Sequence, residues 1–557
     1  MSLSPKGSGA SAFRYGAAGC SVMWLHCGCA ALVALASLLV YYRCIGFGYV
    51  GIDDIEYVVH TAPVRKGLTP EGIAWALTSF RFSNWHPLTW MSYMLDVSLF
   101  GEAAGPKHAV NLLLHVCNSL LVYALAFRVV AGARHGAALL VALFFAVHPL
   151  HVESVAWVAE RKDVLCALFY FAALHFHLDL QARPTVTRYL RLQLACVLAL
   201  MSKPMAVTLP VALLLLDYWP GGRLRAPTGA GAQVRNFCRL LLEKTPVILM
   251  SAVVCVLTVM AQAEAITSFE SVPLAYRLQN AILSLVVYCR QLIFPLDLAA
   301  LYPLRPIDAA SVFLPALVLV VCASVLVIRH RRSAPWWMFG CCWFCLTLLP
   351  VIGILQAGLQ AHADRYTYIP SIGLLLAVGA NGSSLEPKSR HRCTVVCCVL
   401  LVFHTVIAWI QVGYWANDYM AYSRMLTVTP RSWEAHVGLA SFHSGRGNRE
   451  DAESHVREAL AIDSENEFVQ AALGNLLLAR RDNVGARRAF VRALELRPGW
   501  SLPMLNLAVI MEREGRPKEA MKAYCDVLSV DPTLEGVASR IERIAKTLGR
   551  TAGDRCE

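Results

Sequence analysis

The sequence is poor in charge. Only 16% of its 557 residues are charged, 57% are hydrophobic, and the mean hydropathy is +0.51. This composition excludes an ordinary soluble domain and indicates a membrane protein. The formal net charge of +12 does not point to nucleic acid, because Lys and Arg lie mostly in links between apolar segments, where they act as orientation signals. We therefore expect the membrane, and no nucleic acid, as a partner.

A disulfide framework and a metal motif are also lacking. Most of the 19 cysteines stand inside apolar segments, where they behave as small hydrophobic residues. Cys341, Cys342 and Cys345 lie in the run "WWMFGCCWFCLTLLP", so helix packing is favoured over zinc binding. A divalent metal would be compatible with the chemistry considered below, but no residue pattern supports one, and no metal ligand is assigned. Neither a Ser-His-Asp order nor a phosphate-binding glycine loop is present.

Long apolar segments, in contrast, dominate residues 21–415. Segment 275–297 is apolar too, but it contains Arg277, Arg290 and Asp297, so we expect it to lie along the exoplasmic interface rather than to span the membrane. The segments proposed as membrane spans are 21–42, 109–129, 136–153, 164–180, 188–201, 204–219, 245–262, 311–328, 335–353, 367–381 and 394–413.

With about eleven spans, the basic loops all face the cytoplasm, as the positive-inside rule requires. Residues 1–20 are then a cytoplasmic tail that leads into an uncleaved anchor, and 43–108 form a large first exoplasmic loop. The chain beyond residue 414 lies on the exoplasmic side in this topology.

From about residue 431 the sequence repeats with a period of 34 residues. Ala452, Ala486 and Ala520 occupy the same position in the successive repeats, where two helices would cross. This pattern is typical of tetratricopeptide (TPR) repeats and predicts three of them over 431–535, followed by a capping helix and tail over 536–557. The concave face of such an array usually binds a peptide or another protein, and the alternative is a rigid spacer.

The stretch "GYVGIDDIEYVVHT" places two adjacent carboxylates directly after the first apolar segment. Asp53 and Asp54, followed by Glu56, are compatible with a solvated pair that caps a helix. In the catalytic interpretation, one carboxylate accepts the proton of an acceptor hydroxyl, and the neighbouring negative charge raises its pKa. The pair alone does not decide between these interpretations.

Several cations stand close to the ends of predicted spans. Arg365, in "HADRYTYIP", could bind a lipid phosphate through two parallel hydrogen bonds, or could simply extend to the membrane surface. Lys203, in "MSKPM" between two spans, would be costly unless it is paired. The run "AERKD", with Arg161, Lys162 and Asp163, is either an interface anchor or a second group that presents cations to a phosphate.

Other polar residues of the predicted exoplasmic loops are expected to line a cavity on the same membrane face. "HPLHVE" offers His148, His151 and Glu153 to a zinc ion, but a proline follows its first histidine and zinc would still need an open fourth position, so hydrogen-bonding groups at a span end are favoured over a metal site. The predicted cavity-lining residues are Glu56, His86, His148, His151, Glu153, His362, Asp364 and Tyr366.

A family resemblance supports these interpretations. The stretches "NWHPLTWMSYMLD", "ALFFAVHPLHVESVAWVAERKDVL", "MSKPMAVTLPVALLLLDYWP" and "AHADRYTYIPSIGLLLAVG", followed by TPR repeats, resemble bacterial-type tetratricopeptide membrane proteins. More distantly, they resemble the eukaryotic transmembrane-and-TPR protein O-mannosyltransferases. The similarity extends over about residues 45–535. It implies an all-α fold in which a GT-C-like membrane domain precedes a TPR α-solenoid.

The resemblance also implies an activity, namely transfer of a sugar, with mannose as one candidate, from a polyprenyl-phosphate donor to a protein hydroxyl on the exoplasmic side. Asp53 and Asp54 match the acidic catalytic motif of the family, and Arg365 and Lys203 match its cations. Arg161 is a further candidate for the donor phosphate. This sequence has "DR" where the eukaryotic members tend to have "ER", and few repeats, so the acceptor class stays open.

A non-catalytic alternative is a membrane scaffold or transporter that carries a TPR interaction domain. A structure that placed Asp53, Lys203 and Arg365 far apart would favour this alternative. The host membrane is expected to be a bacterial inner membrane with exoplasmic repeats, or the endoplasmic reticulum membrane in a eukaryote.

Overall fold

The computed structural model describes residues 18–130, 135–224, 229–263, 272–304, 307–355, 358, 360–531, 534 and 536–548. Most of the predicted N-terminal tail, up to residue 17, and the end of the C-terminal tail, from residue 549, lie outside these residues.

Helices form nearly all of the regular structure. In the first part of the chain they are α1 (Ala18–Tyr41), α2 (Ala62–Arg65), α3 (Pro70–Thr78), α4 (Pro87–Phe100), α5 (Ala104–Val129), α6 (His135–Val147), α7 (Val152–Ala156), α8 (Arg161–Ala182), α9 (Val186–Ser202), α10 (Leu209–Tyr218), α11 (Ala230–Glu243), α12 (Thr245–Ala261), α13 (Leu274–Ile293), α14 (Leu314–His330), α15 (Pro335–Leu348), α16 (Ser371–Ser384) and α17 (Pro387–Gly413). Short strands β1 (Tyr302–Pro303) and β2 (Gln360–His362) pair antiparallel.

All eleven segments that we predicted as spans contain helix. Within the described residues, five helices are long and apolar enough to cross a membrane, or seven if each of two bent helix pairs is one span. One bend, of 49°, falls between α6 and α7 at Pro149, whose ring cannot continue the helix and whose nitrogen has no hydrogen to donate. The predicted all-α class with several membrane helices is confirmed, whereas the number of eleven crossings stays a prediction.

Helix α13 coincides with the segment that we expect at the interface. Its buried residues recur every three or four positions and include Asn280, Ser284 and Tyr288, while Leu278 and Ile293 are exposed. The helix therefore turns a polar face toward the protein and an apolar face outward. Arg277 is buried and donates to the Val272 carbonyl at 2.8 Å, so its charge costs less than the sequence led us to expect.

The second part of the chain is a TPR solenoid, as predicted. After α18 (Asp418–Val428), six helices form three antiparallel pairs, and a final helix, α25, packs Val537, Ile541 and Ile544 against the last pair. The six are α19 (Trp433–Gly445), α20 (Arg449–Ile462), α21 (Glu467–Ala479), α22 (Asn483–Leu496), α23 (Ser501–Arg513) and α24 (Pro517–Val530), and the last is α25 (Val537–Thr547). Small residues at the crossings allow the close approach; a Cβ atom at Gly474 would lie 2.5 Å from the Phe490 ring.

Candidate active site

A cavity of about 790 Å³ lies where several breaks between helices meet. Its polar end is formed by the loop after α1, the start of α8, the turn after α9, and the turn after β2. At the turn after α9, Pro204 follows Lys203 and cannot continue the helix. The ionisable residues that line it are Asp53, Glu160, Lys162, Lys203 and Arg365.

The two adjacent aspartates have different surroundings. Asp54 is fully buried, and each of its carboxylate oxygens accepts a backbone hydrogen bond, one from Val50 at 2.9 Å and one from Ala159 at 2.7 Å. These bonds fasten the acidic loop to the turn before α8. Asp53 instead lines the cavity, and within the described residues its carboxylate has no hydrogen-bond partner. Of the pair, Asp53 is therefore the residue able to accept a proton from a ligand.

Three cations surround Glu160. Its carboxylate oxygens lie 3.0 Å from Lys162 Nζ, 3.4 Å from Lys203 Nζ and 3.4 Å from Arg365 Nε. All four side chains line the cavity and are nearly buried. Because like charges this close repel one another, Glu160 is what allows the three cations to share one end of the cavity.

Two further carboxylates hold these cations from outside the cavity lining. Glu153 accepts from the backbone N–H of Arg365 at 2.8 Å and also pairs with its guanidinium. Asp163 pairs with Lys203. Burial alone would lower the pKa of Lys203, but Asp163 and Glu160 raise it above its ordinary value, so this lysine stays charged.

The environment of Asp53 leads to a pH prediction. Burial raises the pKa of Asp53 to about 6, and Glu160 and Glu56 add to the rise, while Lys162 and Arg365 lower it. If its carboxylate accepts the acceptor proton, kcat/KM should fall tenfold per pH unit below about pH 6 and level off above it. The measurement is a pH profile of sugar transfer. A profile flat down to pH 4.5 would exclude Asp53 as the base.

Another part of the cavity lining is largely apolar. It is formed by α12 and by the segment after α15, and among its residues Val259, Leu349 and Leu355 are 50%, 54% and 56% exposed. Exposed large hydrophobic side chains in a membrane protein are compatible with contact to lipid. The cavity lining thus combines charged groups with apolar side chains against which a hydrocarbon chain could lie.

Arg161 is not part of this cavity. It is fully buried on the other side of α8, where it pairs with Asp96, donates to Asn111 Oδ1 at 2.8 Å and donates to the Lys107 carbonyl at 2.8 Å. The structure therefore does not bring this predicted phosphate ligand to the site. The neighbouring Lys162 occupies the place instead, because consecutive residues at a helix start point in different directions.

Only Tyr366 among the predicted cavity-lining residues lines the cavity, and Glu153 lies directly behind Arg365. The structure places the other six elsewhere, because each has a partner of its own. Glu56 pairs with His60, His86 stacks on Tyr57, His148 and His151 contact Leu292 and Phe145 carbonyls, His362 stacks on Tyr302, and Asp364 accepts from Tyr302.

Sequence reasoning missed Glu160 as the centre of the site. The signal was present in "AERKD", where a glutamate precedes two basic residues and an aspartate, but the pattern equally fits an exposed anchor. No group of three or more metal-ligating side chains able to hold an ion occurs within the described part of the chain.

The repeats contain a second groove, of about 480 Å³, lined by α19, α21, α23 and their neighbours. None of its lining residues is charged. Asn506 Nδ2 donates to Asn475 Oδ1 at 2.9 Å across adjacent repeats, and Phe468 lies between Trp433 and Trp500, with ring centres 5.7 and 5.0 Å away. This groove offers amide and aromatic contacts along the array.

Fold and site together define a multi-pass α-helical membrane protein with a cavity lined by paired charges and a TPR array. The chain is similar to TMTC-type protein O-mannosyl-transferases, which confirms the resemblance found in the sequence. A protein O-mannosyl-transferase of Caenorhabditis elegans is 25% identical over 460 residues, which cover 77% of this chain and 61% of that protein. The protein O-mannosyl-transferase TMTC1 of Mus musculus is 36% identical over 165 residues, 28% of this chain and 17% of that protein.

This chain thus spans less than two thirds of the length of these relatives. No protein-family model matches the chain. The crystal structure of ArnT from Cupriavidus metallidurans bound to undecaprenyl phosphate aligns with 91% of this chain and 80% of that chain, with 15% identity and a TM-score of 0.32.

Proposed function

We propose that the protein is a GT-C-type membrane glycosyltransferase that moves a sugar from a polyprenyl-phosphate donor to a hydroxyl of a protein acceptor. The observation that carries the proposal is that Asp53, whose carboxylate has no hydrogen-bond partner among the described residues, lines the same cavity as Lys162, Lys203 and Arg365. A scaffold or transporter would not need these groups together. The names of the similar proteins make mannose the first sugar to test.

In the proposed reaction, Asp53 takes the proton of the acceptor hydroxyl as its oxygen attacks the anomeric carbon of the sugar. The bond between that carbon and the phosphate oxygen breaks, and its electron pair stays on the phosphate. Lys162, Lys203 and Arg365 stabilise the negative charge of this leaving group. The proposed reaction needs no metal ion, since these three cationic side chains supply the positive charge that stabilises the leaving phosphate.

The shape of the cavity supports a lipid-linked donor. The phosphate would lie at the charged end, and the polyprenyl chain would lie along the exposed apolar wall at Val259, Leu349 and Leu355. The acceptor would be held by the uncharged groove of the repeats, where Asn475 and Asn506 can hydrogen-bond to an extended polypeptide backbone.

The test is incubation of the full chain, purified in lipid nanodiscs, with a radiolabelled polyprenyl-phosphate mannose and hydroxyl-bearing peptides. Transfer of label to peptide is expected, and a chain with Asp53→Asn serves as the inactive control. Other polyprenyl-phosphate sugars are tested in parallel. Failure of every sugar to transfer, with the repeats still binding a peptide, would favour the scaffold.

Arg365→Lys tests the role of the guanidinium. Lysine keeps the charge but loses the planar pair of donors that now contacts Glu153 and Glu160 and could also bind phosphate. We expect the KM for the donor to rise about tenfold, a loss of about 1.4 kcal/mol, with a smaller fall in kcat. A fall in kcat at unchanged donor KM would contradict the assignment.

The proposed site requires the acidic loop and the repeats to share the exoplasmic side, in a bacterial inner membrane or an endoplasmic reticulum membrane. An odd number of spans before Tyr414 gives this arrangement and keeps the basic loops cytoplasmic. Protease added to sealed, right-side-out vesicles is expected to remove residues beyond about 430. A protected repeat array would overturn the eleven-span topology.

A further inference from the structure

Helix α18, the first helix after α17, contacts both the repeats and the acidic loop. Asp418, at its start, accepts a hydrogen bond from the Gly51 backbone N–H at 2.5 Å. Gly51 stands two residues before Asp53, and the adjacent Val50 N–H is held by Asp54. Two consecutive amides of the loop are thus fixed by carboxylates, one from the loop itself and one from the helix that leads into the repeats.

The turn before α18 reaches the cation side of the cavity. Trp415 is buried and stacks on Trp157 at a ring-centre distance of 5.3 Å and an interplanar angle of 24°. The Arg365 guanidinium carbon lies 5.5 Å from the centre of the same Trp157 ring. The Trp157 ring therefore contacts both Trp415 and Arg365.

The same helix is docked firmly at its other surfaces. Tyr422 lies against Gly438 of α19, where an added Cβ atom would be 2.3 Å from the tyrosine ring. Arg424 donates to the carbonyls of Leu296 at 2.6 Å and Leu298 at 3.0 Å, in the loop after α13. Helix α18 is therefore packed against the first repeat on one side and against the loop after α13 on the other, so it lies between the repeats and the membrane domain.

We propose that α18 with its preceding turn is a coupling element, in which Asp418 positions the Asp53 loop and Trp415 positions Arg365 through Trp157. This inference rests on the proposed function and deepens it. The repeats would then do more than hold the acceptor, because their placement would also set the geometry of the reacting groups. Asp418 and Trp415 are positioning residues, since neither lines the cavity.

The structural part of the proposal is tested without activity, by amide hydrogen exchange of the full chain in nanodiscs. Asp418→Ala removes the acceptor of the Gly51 N–H, so exchange at Gly51 and its neighbours should become at least about tenfold faster. Asp418→Asn keeps an oxygen acceptor and should retain most of the protection. Glu450→Ala, an exposed acidic residue of the repeats, is the matched control. Unchanged exchange in Asp418→Ala would overturn the coupling.

The functional part is tested by steady-state kinetics. Asp418→Ala should lower kcat about tenfold with donor KM within twofold, because a misplaced base slows chemistry rather than donor binding. Trp415→Leu should mainly raise donor KM. In an Asp53→Asn background, Asp418→Ala should cause no further fall in kcat, whereas an independent structural effect would be additive. Additivity would overturn the positioning role.

Hydrogen exchange and kinetics together distinguish failure of the proposed function from failure of the coupling. Faster exchange at Gly51 in a chain that transfers no sugar would contradict the proposed function but leave the contact between α18 and the loop established. Sugar transfer by the unmodified chain, together with unchanged exchange and unchanged kinetics in Asp418→Ala, would support the proposed function and reject the coupling.

Discussion

Replacing Asp53 with asparagine is expected to lower turnover by about 10²–10⁴-fold, the range typical for loss of a general base. Asparagine has the size of aspartate but cannot take the acceptor proton. The chain should remain folded, because within the described residues the Asp53 carboxylate supports no hydrogen bond. The measurement is single-turnover transfer of labelled sugar, with thermal unfolding recorded in parallel.

Asp54→Asn is the matched control, since it is the same substitution one residue away. An asparagine there turns one acceptor oxygen into an NH₂ group that faces a backbone N–H, at Val50 or at Ala159. Leaving a buried donor unsatisfied costs about 1–3 kcal/mol, so the main effect should be on stability. If Asp54→Asn abolished transfer and Asp53→Asn did not, the assignment of the base would be reversed.

Replacing Glu160 with glutamine is expected to destabilise the chain by about 3–5 kcal/mol, the range typical when one partner of a buried ion pair is removed. The substitution preserves shape but leaves Lys162, Lys203 and Arg365 close together without the carboxylate that separates their charges. Thermal unfolding in nanodiscs measures the loss, and Glu450→Gln in the repeats serves as an exposed control.

A second substitution distinguishes charge imbalance from a local packing defect. Combining Glu160→Gln with Lys162→Met removes one positive charge along with the negative one. If charge imbalance is the cause, the double variant should be more stable than the sum of the two single effects predicts. Strict additivity would indicate instead that Glu160 acts through packing alone.

Sequence patterns predicted the elements of this molecule better than the side chains that meet at its site. Apolar segments of suitable length predicted the helices, and a 34-residue period predicted the repeats, because both signals are local. Local sequence does not reveal which of Asp53 and Asp54 lines the cavity and which is bound to the backbone. It depends on the Ala159 N–H, which stands 105 residues away along the chain.

The directions of the cationic side chains were likewise not predictable from sequence. Arg161 and Lys162 are adjacent in the sequence, but the packing of α8 turns Arg161 toward Asp96 and Lys162 toward Glu160. The histidines were mistaken for cavity groups because polar residues near span ends often line cavities. In the structure His148 and His151 contact backbone carbonyls at a helix break, and His86 and His362 stack on tyrosine rings, none of which sequence spacing reveals.

Glu153, Glu160 and Asp163 equal in number the cations that they contact, and this balance has a consequence for selectivity. An empty site whose positive charges are already compensated exerts little long-range attraction on anions, so free phosphate and nucleotides in the surrounding water would gain little by entering it. Discrimination would then fall to the hydrocarbon part of the ligand, which alone can use the apolar wall. Soluble phosphate compounds should accordingly be weak competitors of a polyprenyl-phosphate sugar, even at low ionic strength.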